Sequence, residues 1–254
     1  METPLLTIIT INYNNASGLK QTIESVLSQK LDDYSLLEYL IVDGESNDES
    51  INVIKDAEKN KGAFNFIWSS ETDSGIYNAM NKGISRASGK YVYMLNSGDY
   101  LEPDVLSVFI ERLKKEPDLL LFEVNLLEEG QKLKTELRYP NNLYYGSMYH
   151  QGMIYKKDFH EKNGMYDENY RFASDYDFSM KAFYKKNLKI ESIYKPCVNF
   201  LCGGVGGSEA SMNEIYAIKV KNGIIIEKKK SLLKTIIKCF IPYGLLALYK
   251  KMKK

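Results

Sequence analysis

Short apolar runs recur along the first hundred residues, and each is followed by a stretch whose apolar positions return every three or four places. "LLTIITINY" (5–13) reads as a first strand, and in "GLKQTIESVLSQ" Leu19, Ile23, Val26 and Leu27 fall on one helical face. "LEYLIVDG" (37–44) is a second strand. The helix expected in "NDESINVIKDAEKN" opens on the capping candidates Asn47 and Asp48. "FNFIWSSE" and "GIYNAMNKGISRASG" repeat the pattern, with Gly89 closing the helix, and "KYVYMLNSGD" (90–99) is a fourth strand. "EPDVLSVFIERLKKEP" follows as a helix, with Pro103 in its first turn and a basic end that suits the helix dipole. Near-continuous apolar strands alternating with helices imply an α/β fold in which a mostly parallel sheet is covered on both faces, an αβα sandwich.

The second half is less regular. "LLLFEVNLL" and "KLKTELRYP" are expected to pair as strands, a helix runs through "DYDFSMKAFYKKN", and a strand through "LKIESIYKPCVNFL". "NNLYYGSMYHQGMIY" is tyrosine-rich and suits a surface lining. "CGGVGGSEAS" is a glycine-rich loop, equally readable as a lid or a hinge. No internal repeat is present.

In parallel sheets ligands bind beyond the carboxyl ends of the strands, and the polar clusters of this chain fall there. Tyr13-Asn14-Asn15, Asp43-Gly44-Glu45-Ser46, Glu71-Thr72-Asp73 and Asn96-Ser97-Gly98-Asp99 follow strands one to four. The turn after strand one has no Gly-x-Gly-x-x-Gly for a pyrophosphate, and no Walker motif occurs. A divalent cation held by a carboxylate is the other common way to bind phosphate. Asp99 could serve, with Gly98 leaving room, or it could simply close the turn. Asp175 and Asp177 compete for one role, since either could cap the following helix. His150, in "HQG", reads as a satisfied histidine or as a group near an acceptor or diphosphate.

Charge changes the picture at one end. The 254 residues carry 34 basic and 33 acidic side chains, a net charge of +1. Nine of the lysines lie in residues 228–254, which have no acid; the 25 basic and 33 acidic residues left give residues 1–227 about −8. An acidic body argues against nucleic-acid binding. In the tail Leu232, Leu233, Ile236, Ile237, Phe240 and Ile241 alternate with lysines. Its apolar stretches fall short of the ~20 residues that span a bilayer, so an amphipathic helix on an anionic leaflet is expected, the alternative being a tail docked on the protein itself or a partner. Three unevenly spaced cysteines argue against a disulfide framework, and two histidines are too few for most zinc sites. The apolar run near the start has no basic residue before it and reads as a strand, not a signal peptide.

Six stretches in order, "TIITINYNN", "YLIVDGESNDES", "SETDSGIYNAMNKG", "YVYMLNSGDYLEPD", "HQGMIYKKDFHEKNGMYDENY" and "ASDYDF", resemble family 2 glycosyltransferases of GT-A fold, closest to the branch that builds bacterial surface polysaccharides such as capsule and lipopolysaccharide. The resemblance implies a catalytic domain over 1–227, with a nucleotide-sugar half at about 1–100 and an acceptor half at about 101–227, and a membrane-associating tail over 228–254. It implies an inverting transfer from a nucleotide-diphosphate sugar to a hydroxyl of a lipid-linked saccharide, on the cytoplasmic face of a membrane. Asp175 matches the general base. Asn96 to Asp99 stand at the metal motif, with Asp99 as the ligand of Mg or Mn and Asn96 and Gly98 where acids are usual. Tyr13 matches a position beside the base, Asp43 the turn that contacts base or ribose, and Asp73 and Asn81 polar positions near the donor. A nucleotidyltransferase would be expected to carry a glycine- and arginine-rich loop after strand one, which is missing here. A non-catalytic sugar- or nucleotide-binding relative is the remaining alternative.

Overall fold

The computed structural model describes residues 3–128, 130–202 and 208–224. The tail over 228–254 and the core of the glycine-rich loop, residues 203–207, therefore lie outside the described residues. The first half alternates as expected: β1 (Leu6–Asn12), α1 (Ala16–Leu27), β2 (Leu37–Asp43), α2 (Ser50–Asn60), β3 (Asn65–Ser70), α3 (Ile76–Arg86) and β4 (Tyr91–Met94). Then follow β5 (Tyr100–Leu101), α4 (Leu106–Leu113), β6 (Leu119–Glu128), β7 (Gln131–Glu136), β8 (Met153–Lys156), α5 (Asp158–Asn163), α6 (Ser174–Ala182), β9 (Ile190–Leu201) and α7 (Glu209–Lys221).

The sheet runs in the order β3-β2-β1-β4-β8-β6-β9-β5, with β7 hydrogen-bonded to β6. β1 to β4 are parallel, and so are β6 and β9. The exceptions are β8, inserted antiparallel between β4 and β6, the short β5 on β9, and β7 on β6. β8 and β5 were not foreseen, because two to four residues are too few to show a period.

Why the central strands carry apolar residues on both faces is visible in β1, where every residue is buried. Leu6 and Ile8 face the cluster that holds Leu19, Ile23 and Val26 of α1, Ile54 of α2 and Phe109 of α4. Ile9 and Ile11 face the other cluster, with Tyr77, Met80 and Ile84 of α3 and Tyr176 and Phe178 of α6. Side chains of one strand alternate between faces, so a sheet covered on both sides needs both sets apolar. Parallel register places Asn12 beside Asp43, and Asp43 beside Ser70, so that the first three strands end in one line.

Candidate functional site

That line of strand ends opens onto a cavity of about 810 Å³. Its wall is made by Ile11, Asn12, Tyr13 and Asn15, the segment 73–79, Asn96 and Ser97, Glu168 and the segment 170–172. Three of the expected donor residues, Tyr13, Asp73 and Asn96, are thus brought to one space.

Asp43 is not among them. It is fully buried, and each of its oxygens is taken twice. Oδ1 accepts from Asn12 Nδ2 (2.8 Å) and Ser46 Oγ (2.6 Å); Oδ2 accepts from the Ser46 N–H (2.9 Å) and Ser70 Oγ (2.7 Å). The carboxylate therefore ties the ends of β1, β2 and β3 together beneath the site. The next residue shapes the wall by having no side chain. A Cβ at Gly44 would stand 2.5 Å from Asp73 Oδ2 and 3.2 Å from the Tyr13 ring. Glycine here lets Tyr13, which is 66% exposed, and Asp73 close the same corner. Asp73 is fixed by its own turn, Oδ1 accepting from the Gly75 N–H at 2.9 Å.

The turn after β4 is pinned to α1. Asn15 Nδ2 donates to the Ser97 carbonyl and hydroxyl (3.2 and 3.0 Å), and Thr22 Oγ1 accepts from the Gly98 N–H (2.9 Å) and donates to the Asp99 carbonyl (2.7 Å). Gly98 has φ +102°, which glycine adopts readily, and it is buried beside the wall, not part of it. Asp99 turns inward. Only 5% exposed, it accepts from Gln151 Nε2 at Oδ2 (3.0 Å) and from the Leu201 N–H at Oδ1 (3.2 Å). Burial pushes its pKa up to about 6, against the opposing pull of the Gln151 hydrogen bond, nearby His150 and the Leu201 N–H.

Asp175 lies in the first turn of α6, just behind the wall. Its Oδ1 accepts from the hydroxyl of Tyr77, which does line the cavity, at 2.8 Å. Burial and then the negative charge of Asp175 raise the Tyr77 pKa, so the phenol stays a donor. His150 Nδ1 stands 3.6 Å from Asp175 Oδ2, and Nε2 is 3.1 Å from Asn96 Nδ2. With its proton on Nδ1, the imidazole donates towards Asp175 and accepts from Asn96. One histidine thus links the turn after β4 to the first turn of α6. Asp177 faces elsewhere: it is 1% exposed and pairs with Lys181 and, at 3.7 Å, Lys221, which ties α6 to α7.

Asn81 is likewise engaged by its own partners. Nδ2 donates to the Tyr166 carbonyl and Glu168 Oε1 (both 2.9 Å), and Oδ1 accepts from the Tyr166 N–H (3.0 Å). It anchors the 164–172 loop on α3 and does not face the cavity. From α7, Glu214 accepts the N–H groups of Arg171, Phe172 and Ala173 (2.8, 2.8 and 2.9 Å). This loop carries Arg171 into the wall, a residue the sequence did not single out. The guanidinium is exposed, 5.5 Å from the Phe172 ring centroid, with no hydrogen bond or ion pair among the described residues.

A mostly parallel sheet with helices on both faces and a polar cavity at the carboxyl ends of its strands is an arrangement that GT-A glycosyltransferases share with other open α/β folds. Comparison with solved structures singles out the GT-A fold. Staphylococcus aureus TarS (residues 1–349, with UDP) superposes with a TM-score of 0.70 at 18% identity, over 92% of this chain and 70% of that one. The mannosyltransferase PcManGT of Pyrobaculum calidifontis, in complex with GDP-Man and Mn2+, gives 0.62 at 14% identity, over 94% and 68%. The Glycosyl transferase family 2 profile matches residues 7–172, and the chain belongs to that family. Among curated relatives, an uncharacterized glycosyltransferase of Mycobacterium tuberculosis is 30% identical over 111 residues, 43% of this chain and 40% of the relative. The putative glycosyltransferase EpsH of Bacillus subtilis is 28% identical over 121 residues, 48% and 34%. The chondroitin synthase of Escherichia coli is 25% identical over 148 residues, 54% and 20%. The aligned segments thus span well under half the length of these relatives. No helix among the described residues is long and apolar enough to cross a membrane.

Proposed function

We propose that the chain transfers a sugar from a nucleotide-diphosphate sugar, bound in the strand-end cavity, to a hydroxyl of a saccharide acceptor, with inversion at the anomeric carbon. The observation that carries this reading is the contact between Tyr77 and Asp175, which sets a carboxylate at the edge of a cavity that already gathers Tyr13, Asp73 and Asn96. UDP and GDP-mannose in the structural neighbours favour a nucleoside diphosphate as leaving group. Tyr13, 66% exposed, is placed to stack on the base, and Asp73 Oδ2 to accept from base or ribose.

In this mechanism Asp175 takes the proton of the acceptor hydroxyl as that oxygen bonds to the anomeric carbon, and the bond from that carbon to the diphosphate breaks. Tyr77 donates to one Asp175 oxygen and His150 faces the other, so the carboxylate is held in one orientation before the acceptor arrives. The test is Asp175→Asn with donor and acceptor saccharide. Transfer should fall by about 10²- to 10⁴-fold, while donor binding stays. Equal rates in both proteins would refute it.

On its donor set Asp99 is a poor fit for the expected cation site. Magnesium and manganese take about six oxygen ligands, commonly one or two carboxylates with phosphate and water. Asp99 has both oxygens engaged inside the protein, positions 96 and 98 offer an amide and no side chain, and the described residues contain no group of three His, Cys, Asp or Glu that could hold a metal. No step here runs through a cation.

Curated relatives that include polysaccharide synthases favour a growing surface polysaccharide as acceptor, with the basic tail over 228–254 holding the chain on an anionic membrane face. At about 1 kcal/mol for each lysine near such a surface, its nine lysines are ample. Deleting 228–254 should release the protein from vesicles containing phosphatidylglycerol; unchanged co-sedimentation would disprove this role.

A further inference from the structure

Deepening that reading, we propose that Arg171 takes the donor's diphosphate, so that donor binding needs no divalent cation. A diphosphate entering this cavity must meet positive charge, and the chain does not supply it in the form of a metal. Its one carboxylate after β4 is buried and turned inward, each oxygen already accepting one hydrogen bond, from Gln151 and from the Leu201 N–H. The stretches outside the described residues contain only Glu2, Glu129 and Glu227 as acids, so they add little to a metal's donor set.

The cavity wall does hold an arginine. Arg171 is exposed there with its guanidinium unpaired among the described residues, while its own N–H is fixed by Glu214. The backbone is anchored and the charged end is free to reach, the arrangement a ligand-binding arginine requires. Guanidinium meets phosphate with two parallel hydrogen bonds, which a lysine cannot reproduce. The acids of the wall decide which end of the cavity takes the phosphates. Asp73 stands at the Tyr13 corner and repels an anion there, but it accepts from base or ribose. Glu168 keeps its charge, the hydrogen bonds from Asn81 and Asn78 (2.9 and 3.0 Å) holding it below the usual carboxylate range. They also fix it on α3, so Arg171, the one basic side chain of the wall among the described residues, is left to meet an anion. The nucleoside therefore goes to Tyr13 and Asp73, and the phosphates to Arg171.

Calorimetric titration of the full chain with UDP and with GDP, each in manganese and in EDTA, tests this. Affinity for the nucleotide that binds should differ by less than about threefold between the two conditions. Arg171→Gln should weaken that diphosphate by about 10- to 100-fold, the worth of a charge-assisted hydrogen bond, with uridine or guanosine affinity unchanged and Arg171→Lys in between. Tightening by manganese of tenfold or more overturns the proposal whatever Arg171 does, and leaves the transferase reading standing. An Arg171→Gln protein that binds like the parent overturns it as well. Binding of neither nucleotide in either condition overturns both.

Discussion

Asp43→Asn separates a structural acid from a ligand-binding one. The substitution keeps the shape but replaces one oxygen by an NH2 group. All four partners of Asp43 arrive as donors: Asn12 Nδ2, the Ser46 N–H, and the Ser46 and Ser70 hydroxyls. The two hydroxyls can turn round to accept, but the amide of Asn12 and the backbone N–H are on different oxygens. If the new NH2 faces the Ser46 N–H, two donors meet; if it faces Asn12, they meet unless the Asn12 amide turns over and gives up its hydrogen bonds to the Ser46 and Ser50 hydroxyls. Hydrogen bonds to a charged group contribute about 1.5–3 kcal/mol each, and an unsatisfied buried donor costs about 1–3 kcal/mol. Losing one and weakening the others gives about 3 kcal/mol. For a chain of this size a loss of 1 kcal/mol lowers Tm by about 2–4 °C, so the expected fall is about 6–12 °C. The assay is a thermal melt beside a nucleotide titration at low temperature, where the variant stays folded. Nucleotide affinity should move less than about threefold. A melt unchanged within about 2 °C, with nucleotide binding lost, would mean that Asp43 reaches the ligand and that the strand-end clamp is not its role.

Two further predictions concern stability. His160 stacks on Phe178 at 4.2 Å between ring centroids, and burial pushes its pKa from 6.5 down to about 4. The folded state thus resists the proton that the unfolded chain takes up below pH 6.5; stability is whole above that pH and is lost as pH falls towards 4, by about 3 kcal/mol from this residue. Urea melts at pH 7.5 and 4.5 should show that loss shrinking in His160→Gln, and an equal pH dependence in both proteins would refute it. Gly89→Ala should cost about 2 kcal/mol or more, because its Cβ would lie 2.6 Å from the Thr7 nitrogen and 2.8 Å from the Leu6 carbonyl carbon, backbone that cannot step aside. Gly146→Ala, whose nearest neighbour is Arg138 Nη1 at 3.7 Å, should be neutral in the same melt.

The strand–helix alternation was legible because each apolar run is long enough to show its kind and ends in small polar residues. The pairing of β6 with β7 and the strand at 190–201 were legible for the same reason. Of the four strand ends read as one crevice, those of β1, β3 and β4 line one cavity, while the cluster after β2 is not in its wall. What the sequence could not carry was the direction in which an acid points. Asp43, Asp99 and Asp73 look alike as acids following strands. Asp43 is drawn inward by Asn12 and Ser70, 31 and 27 positions away, and Asp99 by Gln151 and Leu201, 52 and 102 away. Asn81, expected near the donor, bonds a loop 85 residues further on. Arg171 gave no signal, because a lone arginine in "NYRFAS" follows no pattern; Glu214 and Asn81 bring it to the cavity.

The insertion of β8 between β4 and β6 has a bearing on how the chain assembles. During synthesis β4 is finished at Met94, yet the neighbour on its open side is not made until residues 153–156, and β9, which zips along β6, comes later still. For that interval the nascent protein presents an apolar, unpaired strand edge, the kind of surface on which chains stick to one another. Pairings between such distant segments also form slowly. A ribosome-bound fragment ending near residue 145 should therefore be the most aggregation-prone length of this polypeptide. The addition of the next dozen residues, "GSMYHQGMIYKK", should both seal the edge of β4 and deliver His150 and Gln151 to their places, before Glu168, Arg171 and Asp175 arrive.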